Sequence, residues 1–334
     1  MKQLLVLNDT HLGAIRSAGT TTQSRLSLRA HLLHSFTKLL PKQGTDLMIL
    51  GDLFDTHDTE SIDLWETYNL LKQWLSRGDD LYLVAGNHDL SKTTSVFSSF
   101  ELLSKLLTSA YPQQVHVVLQ SCMTPYGYVI PHVPSQQEFD LELSRVPPCK
   151  VLFLHVNYNN KFAAQSDQSL NLTPEQVQAA PAEQIVIAHE HNMRKAGKVI
   201  LPGNQIASSV SDWVSSPAKY QTRVDAENGA VLEKVLEAGT QYSEVDWKSP
   251  AVTDHLFVRV VGTATADEAS SVVAAVAKIR TLSPALVVSN AVKIESHDGV
   301  NLAESLASIQ GFNIWAALEQ CMEPAEIAIL KGLQ

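Results

Sequence analysis

Cysteine is scarce in this chain of 334 residues. Cys122, Cys149 and Cys321 are an odd number at wide spacing, so neither a disulfide framework nor a zinc knuckle organises the fold. No apolar run approaches membrane-spanning length, and the opening MKQLLVLND is interrupted too soon for a signal peptide; a soluble, cytoplasmic protein with no membrane partner is expected. Positive charge is also short. Lys and Arg total 25 against 35 Asp and Glu, a formal net charge of −10, which argues against a nucleic-acid binder that works by bulk neutralisation of phosphates. It does not exclude a nuclease, because divalent cations can supply positive charge where a phosphate must sit. Internal repeats and low-complexity stretches are lacking too.

What is present is 45% hydrophobic residues, enough for a substantial core, in a length suited to two domains. Five short apolar runs end in residues that hold hard metal ions. Residues 4–7 precede Asp9 and His11, 47–50 precede Asp52, and 81–85 precede Asn87 and His88; 151–154 precede His155, and 185–188 precede His189 and His191. Up to about residue 205 such runs alternate with amphipathic stretches, the pattern of a layered α/β domain. Residues 64–75 and 97–107 have helical spacing and read as covering helices, although one could equally present its outer face to a second subunit. Residues 219–237 read as a strand pair turning at Asn228-Gly229. A strand over 256–261, a capping box at 265–268 opening a helix to about Ile279, and a strand over 286–294 make a small β-α-β module. Residues 301–334 read as two helices parted at Glu323-Pro324. Their apolar stripe through Phe312, Ile314, Trp315, Leu318 and Met322 either packs on its own domain or docks a partner's helix.

In an open α/β sheet, ligands bind beyond the carboxyl ends of the strands, so groups from five strands can meet there. Carboxylate, amide oxygen and imidazole without thiolate suit manganese, iron, zinc or magnesium. A pair of such ions binds the non-bridging oxygens of a phosphate, lowers the pKa of a shared water and stabilises an in-line displacement. Phosphoester hydrolysis is the reaction this set serves best.

Asp9-x-His11, Gly51-Asp52-x-x-Asp55, Gly86-Asn87-His88-Asp89, a single His155 and the pair His189-x-His191 resemble the ordered signature of the calcineurin-like metallophosphoesterases. The forms Asp9-Thr10-His11-Leu12-Gly13 and Gly51-Asp52-Leu53-Phe54-Asp55, with the β-α-β module where that subfamily carries its cap, resemble the SbcD nucleases of recombination and double-strand-break repair, phage-encoded members included. The resemblance covers roughly the first 215 residues. It implies a two-layered β-sandwich flanked by helices, with a small α+β capping domain and C-terminal helices. The implied boundaries are 1–240 for the nuclease domain, 241–297 for the cap and 298–334 for a helical segment that could dock a partner. It further implies two divalent ions, manganese(II) foremost, with Asp9, His11 and His191 on one, Asn87, His155 and His189 on the other, and Asp52 bridging. His88 is then the mobile acid that protonates the leaving oxygen, a role suited to imidazole. Asp55 and Asp89 orient histidines from behind. The implied partners are DNA, a second copy in a homodimer, and an SbcC-like coiled-coil ATPase.

Two departures stand out. Ala188 replaces the family's usual Gly before His189, and Gly203-Asn204-Gln205 replaces the usual Gly-Ser-Pro; both are expected to alter the substrate side rather than metal binding. His57 and Asp58 either line the substrate groove or cap the next helix. Asn157, Tyr158 and Asn159 contact a nucleotide or form a turn. Arg16, Arg25 and Arg29, read as a loop after the first motif, contact phosphate or face solvent. His31, His34, His116, His132, His255 and His297 are read as surface or satisfied histidines. Two further readings compete with the nuclease: a phosphoesterase for small nucleotides or phosphoproteins, favoured by the acidic balance, and a non-catalytic adaptor that has kept the fold.

Overall fold

The computed structural model describes residues 2–15, 21–91, 96–160, 170–235, 241–250 and 253–295. Arg16, His297 and the C-terminal stripe around Trp315 lie outside them. The first half runs β1 (Gln3–Leu7), α1 (Thr22–Leu39), β2 (Thr45–Leu50), α2 (Ser61–Leu75), β3 (Leu81–Val84), α3 (Ser99–Ala110) and β4 (Val115–Val118). Next come β5 (Cys122–Thr124), β6 (Gly127–Ile130), α4 (Gln136–Ser144), β7 (Cys149–His155), β8 (Asn157–Tyr158) and β9 (Asn171–Leu172). They lead to α5 (Pro174–Ala179), β10 (Ala182–Ala188), β11 (Arg194–Ala196), β12 (Val199–Leu201), α6 (Val210–Ser215), β13 (Lys219–Asp225) and β14 (Gly229–Val235). The remainder is β15 (Tyr242–Asp246), β16 (Phe257–Val261), β17 (Thr263–Thr265), α7 (Ala269–Leu282), β18 (Val287–Asn290) and β19 (Lys293–Glu295).

Two six-stranded sheets, ordered β14-β13-β1-β2-β3-β4 and β11-β12-β10-β7-β6-β5, are flanked by helices in a mixed α/β fold. Alternation along the first sheet separates two cores. Leu5, Leu7, Leu47, Ile49, Leu81 and Leu83 face helices α1 to α3, where Leu32, Phe36, Trp74 and Leu103 cover them. Leu4, Val6, Met48, Leu50 and Val84 face inward and meet Val151, Phe153 and Val186 of the second sheet. A third cluster, including Phe139, Leu152, Ile185 and Val177, closes the far side of the second sheet. Strands apolar on both faces are what sheets covered on both faces require.

Helix ends follow local chemistry. Thr21 caps α1 by accepting from the Ser24 amide, and Ser98 with Glu101 forms a reciprocal capping box, so α3 starts at Ser99 rather than at the expected 97. Arg25 and Arg29 therefore lie on α1 and not in a loop. The expected single strand over 286–294 is two strands: β18 pairs with β16, whereas β19 pairs with β17. Asn290 breaks it, its side-chain oxygen accepting from the Val292 amide in a tight bend. The strand β15, parallel to β16, was not foreseen. Leu256, Phe257 and Val287 of this last section pack into the same core as α1 and Trp213.

For the site, direction matters most. β1, β2 and β3 are mutually parallel, as are β7 and β10, with Ala188 beside His155. All five motif-bearing strands thus deliver their carboxyl ends to one edge of the sandwich. No helix among the described residues is long and apolar enough to cross a membrane.

The inter-sheet core sets the stability of this edge. Phe153→Ala, at a fully buried position, should cost about 3–5 kcal/mol in urea unfolding, against less than about 0.5 kcal/mol for Val231→Ala at the exposed hairpin. Equal effects would show that the sheets do not pack as described.

Candidate metal centre

The chain leaves its strands here through backbone that side chains seldom adopt. Asp9, His11, Asp52 and His189 have φ of 50°, 44°, 51° and 89°. Each non-glycine residue in this region costs of order 1–3 kcal/mol, and such strain persists only where surroundings impose it. The imposition is visible in a backbone ladder between motif loops: Asp9 N donates to Gly51 O, His11 N to Asp52 O and Leu12 N to Leu53 O, at 3.1, 3.1 and 2.8 Å. Two glycines make room. A Cβ on Gly51 would stand 2.0 Å from His155 Nδ1, and one on Gly86 would stand 2.2 Å from Asp52 Oδ1.

Three groups of donors converge. Asp9, His11 and His191 present ligand atoms within 4.8 Å of one another, as do Asp52, His155 and His189, and also His11, Asp55 and His88. Asn87 Oδ1 is 3.0 Å from His155 Nε2, and Asp52 Oδ2 is 3.3 Å from the same nitrogen. His155 Nδ1 donates to Leu50 O at 3.1 Å, which leaves the Nε2 lone pair pointing at the carboxylate and amide. His191 Nδ1 donates to Asp212 Oδ1 at 2.9 Å, freeing its Nε2 likewise. That Nε2 lies 3.1 Å from His11 Nε2. Ring nitrogens aimed at a common point, framed by carboxylates, fit divalent cations.

The electrostatics agree. Burial opposes charge on His11 and His155, yet the carboxylates of Asp55, Asp52 and Asp9 around the first, and Asp52 and Asp9 around the second, lift both to about 9. Burial would likewise raise Asp52, but His155, His11 and His88 hold it well below the ordinary carboxylate range. The pocket therefore demands positive charge, which metal ions supply while displacing ring protons.

The surrounding residues divide by what they touch. His88 donates through Nδ1 to Asp55 O at 2.6 Å, so Nε2 is its free ring nitrogen, and its backbone amide donates to Asp52 Oδ1. Asp55 Oδ1 lies 3.4 Å from His11 Nδ1, in place to orient that ring. Asp89, expected to orient a histidine, binds backbone instead: its carboxylate accepts from the amides of Leu53, Phe54 and Gly86 and pins the second and third motif loops together. Ala188 faces the gap between the sheets and is the register partner of His155, so its methyl lies beside that imidazole, near the centre as expected. Gln205 acts from behind. Its Oε1 accepts from Asn8 N, its Nε2 donates to Asn8 Oδ1, and Asn8 Nδ2 in turn donates to Asp9 Oδ2. Of the two departures from the family pattern, Gln205 thus sits on the interior side, behind Asp9.

The candidate substrate contacts fare differently. Arg29 forks onto Asp63 and Glu60 and clamps α1 to α2, an engagement that leaves it no phosphate to bind. Tyr158 lies in a short strand under Arg194, 5.2 Å from ring centroid to guanidinium, and its amide donates to Glu190. Asn157 pairs in that strand rather than forming a turn, with its side-chain nitrogen buried and unpartnered. His57 accepts from Ser99 N through its carbonyl, and its side chain is 40% exposed. One residue went unread in the sequence. Asp212, held below the ordinary carboxylate range by His191 and Lys219 against the pull of burial, sits in the capping box Ser209-x-x-Asp212, a signal that reads only as a helix start. His132, read as a surface or satisfied histidine, is half-buried and feels the charges of His155, Asp52, His189 and His88; desolvation first, then His155, pushes it down to about 4.

A model of the family described as calcineurin-like phosphoesterase matches residues 2–193. No curated protein matches the sequence. Among solved structures, a cold-active protein-tyrosine phosphatase of a psychrophilic Shewanella species is similar at 14% identity, with a TM-score of 0.30, over 71% of this chain and 81% of that one. A second structure of a cold-active protein tyrosine phosphatase gives 14%, 0.30, 71% and 79%. At such TM-scores neither bears on what this chain does.

Asp212→Ala, which frees the His191 ring, should weaken manganese binding by roughly 10–100-fold in calorimetric titration without unfolding the protein. Unaltered affinity would remove His191 from the centre.

Proposed function

The chain belongs to the calcineurin-like phosphoesterase family, and from that premise we propose that it is a metal-dependent DNA nuclease, exo- and endonucleolytic, serving recombination or repair. The observation that carries this reading is the convergence of Asp9, His11 and His191, and of Asp52, His155 and His189, at one edge of the sandwich. In this reading Asp9, His11 and His191 hold one divalent ion, Asn87, His155 and His189 the other, and Asp52 both. Bound there, two manganese(II) ions neutralise the scissile phosphate and lower the pKa of an attacking water. The forms of the first two motifs favour DNA over smaller esters.

The protein's own part is positional and acid-base. Asp52, gripped by the His88 amide, and Asn87, beside His155, fix the oxygen side of the centre. Asp55 O takes the Nδ1 proton of His88, so the acidic proton is carried on Nε2 and passes to the leaving oxygen. Residues 1–240 form the nuclease unit, 241–297 its cap and 298–334 the docking segment for an SbcC-like ATPase, in the cytoplasm.

A homodimer is supported by the outer faces of α2 and α3. Ile62, Trp65, Leu102 and Leu106 are 45%, 57%, 39% and 41% exposed on two helices that touch each other. Apolar side chains gathered in this way mark a face that associates.

End-labelled DNA incubated with manganese tests the activity: His88→Gln should slow cleavage by roughly 10²–10⁴-fold while metal binding persists. Cutting at the parent rate removes His88 from the acid role. Turnover of bis-p-nitrophenyl phosphate or a phosphoprotein with intact DNA would favour the small-ester or protein phosphatase alternative, and a preparation that binds no metal and hydrolyses nothing, the adaptor. Trp65→Glu with Leu102→Glu should halve the mass seen by light scattering; a parent protein already monomeric refutes the dimer.

A further inference from the structure

We propose that the cavity between α1 and the β13–β14 hairpin is a second binding site, for a nucleoside monophosphate. The cavity measures about 670 Å³, within the range of small-molecule sites. It borders Thr45, where β2 begins, whereas Asp52 follows the end of that strand; the two sites are roughly 20 Å apart along the sheet.

Charge there runs against the chain. In a protein of net charge −10, Lys38, Lys42 and Arg223 line one cavity, with Lys234 at its rim on the opposite face of the hairpin beside Tyr220. Arg223 pairs with Glu233 beside it. Lys38 and Lys42 have no ion pair among the described residues. Like charges crowded on one concave surface repel, and a dianionic phosphate is the complement that relieves them.

The second observation is a buried amide. Gln221 neighbours Arg223 on β13, on the face that β1 fills with Leu5. It is only 9% exposed, and its Oε1 is buried without a hydrogen-bond partner. Its Nε2 reaches Glu233 at 3.4 Å, a long contact. A core-facing acceptor left unmade is unfavourable, and an N–H donor from a ligand satisfies it. Leu39, Leu40, Pro41 and Val235 give the rest of the wall an apolar character. Phosphate on lysines, a flat ring on the apolar wall and an exocyclic amine on Gln221 is the chemistry of a nucleotide, where bare phosphate would use the lysines alone. The inference is independent of what the metal centre cleaves.

The test is calorimetric titration of the full chain with the methylenephosphonate analogue of adenosine monophosphate, whose P–C bond resists hydrolysis, beside adenosine and methylphosphonate separately. Saturable one-to-one binding is expected, weakened at least about tenfold by Lys38→Glu with Lys42→Glu. Both side chains are exposed, so the melting temperature should hold. Gln221→Leu should weaken the nucleotide analogue and leave methylphosphonate unaffected. No saturable binding, binding that survives the double variant, or an analogue no tighter than methylphosphonate would each overturn the proposal.

Discussion

A carboxylate at the end of β2 governs this molecule. Asp52 is all but inaccessible to water, and an isolated charge there is prohibitively costly. It remains ionised because everything nearby answers it: the His88 amide on one oxygen, His155 on the other, and the field of His11. One of those imidazoles, His11, faces His191 ring nitrogen to ring nitrogen across 3.1 Å. Nitrogens and carboxylates gathered this closely are the donor set of a metal centre.

Holding the donors in place requires unfavourable backbone, and the fold supplies it from behind. Parallel register brings the strand ends level; the ladder from Asp9 to Leu12 onto the 51–53 loop forces left-handed turns; Asp89 binds two loops through three amides. The reciprocal Asn8–Gln205 lock does the same for Asp9. None of these groups points at a substrate. They spend the stability of two packed sheets on precision at one edge.

Much of this was legible in the residues. Apolar runs ending in Asp, Asn or His named the strands and the donors that converge, because a strand buried on both faces must be apolar and the next residue is the first free to be polar. Supporting residues were not legible. Asp212 carries the pattern of a helix cap and Gln205 that of a loop amide, and only the folded chain brings them to His191 and Asn8. Arg25 and Arg29 were placed in a loop because α1 has no strong apolar periodicity; its start is declared by Thr21 and Ser24 alone. Asn290 hid a break within an otherwise continuous β-like run.

Phe257 occupies an unusual junction. Its ring meets His31 of α1 at 5.3 Å and Trp213 of α6 at 6.3 Å, and Trp213 is next in sequence to Asp212, the anchor of the His191 imidazole. Thr21, at the head of α1, meanwhile bonds Pro284 O just before β18. The small parallel sheet is therefore bolted to the frame at α1 and α6. A shift of that sheet would reach the anchor of the His191 imidazole by way of two adjoining rings, Phe257 and Trp213.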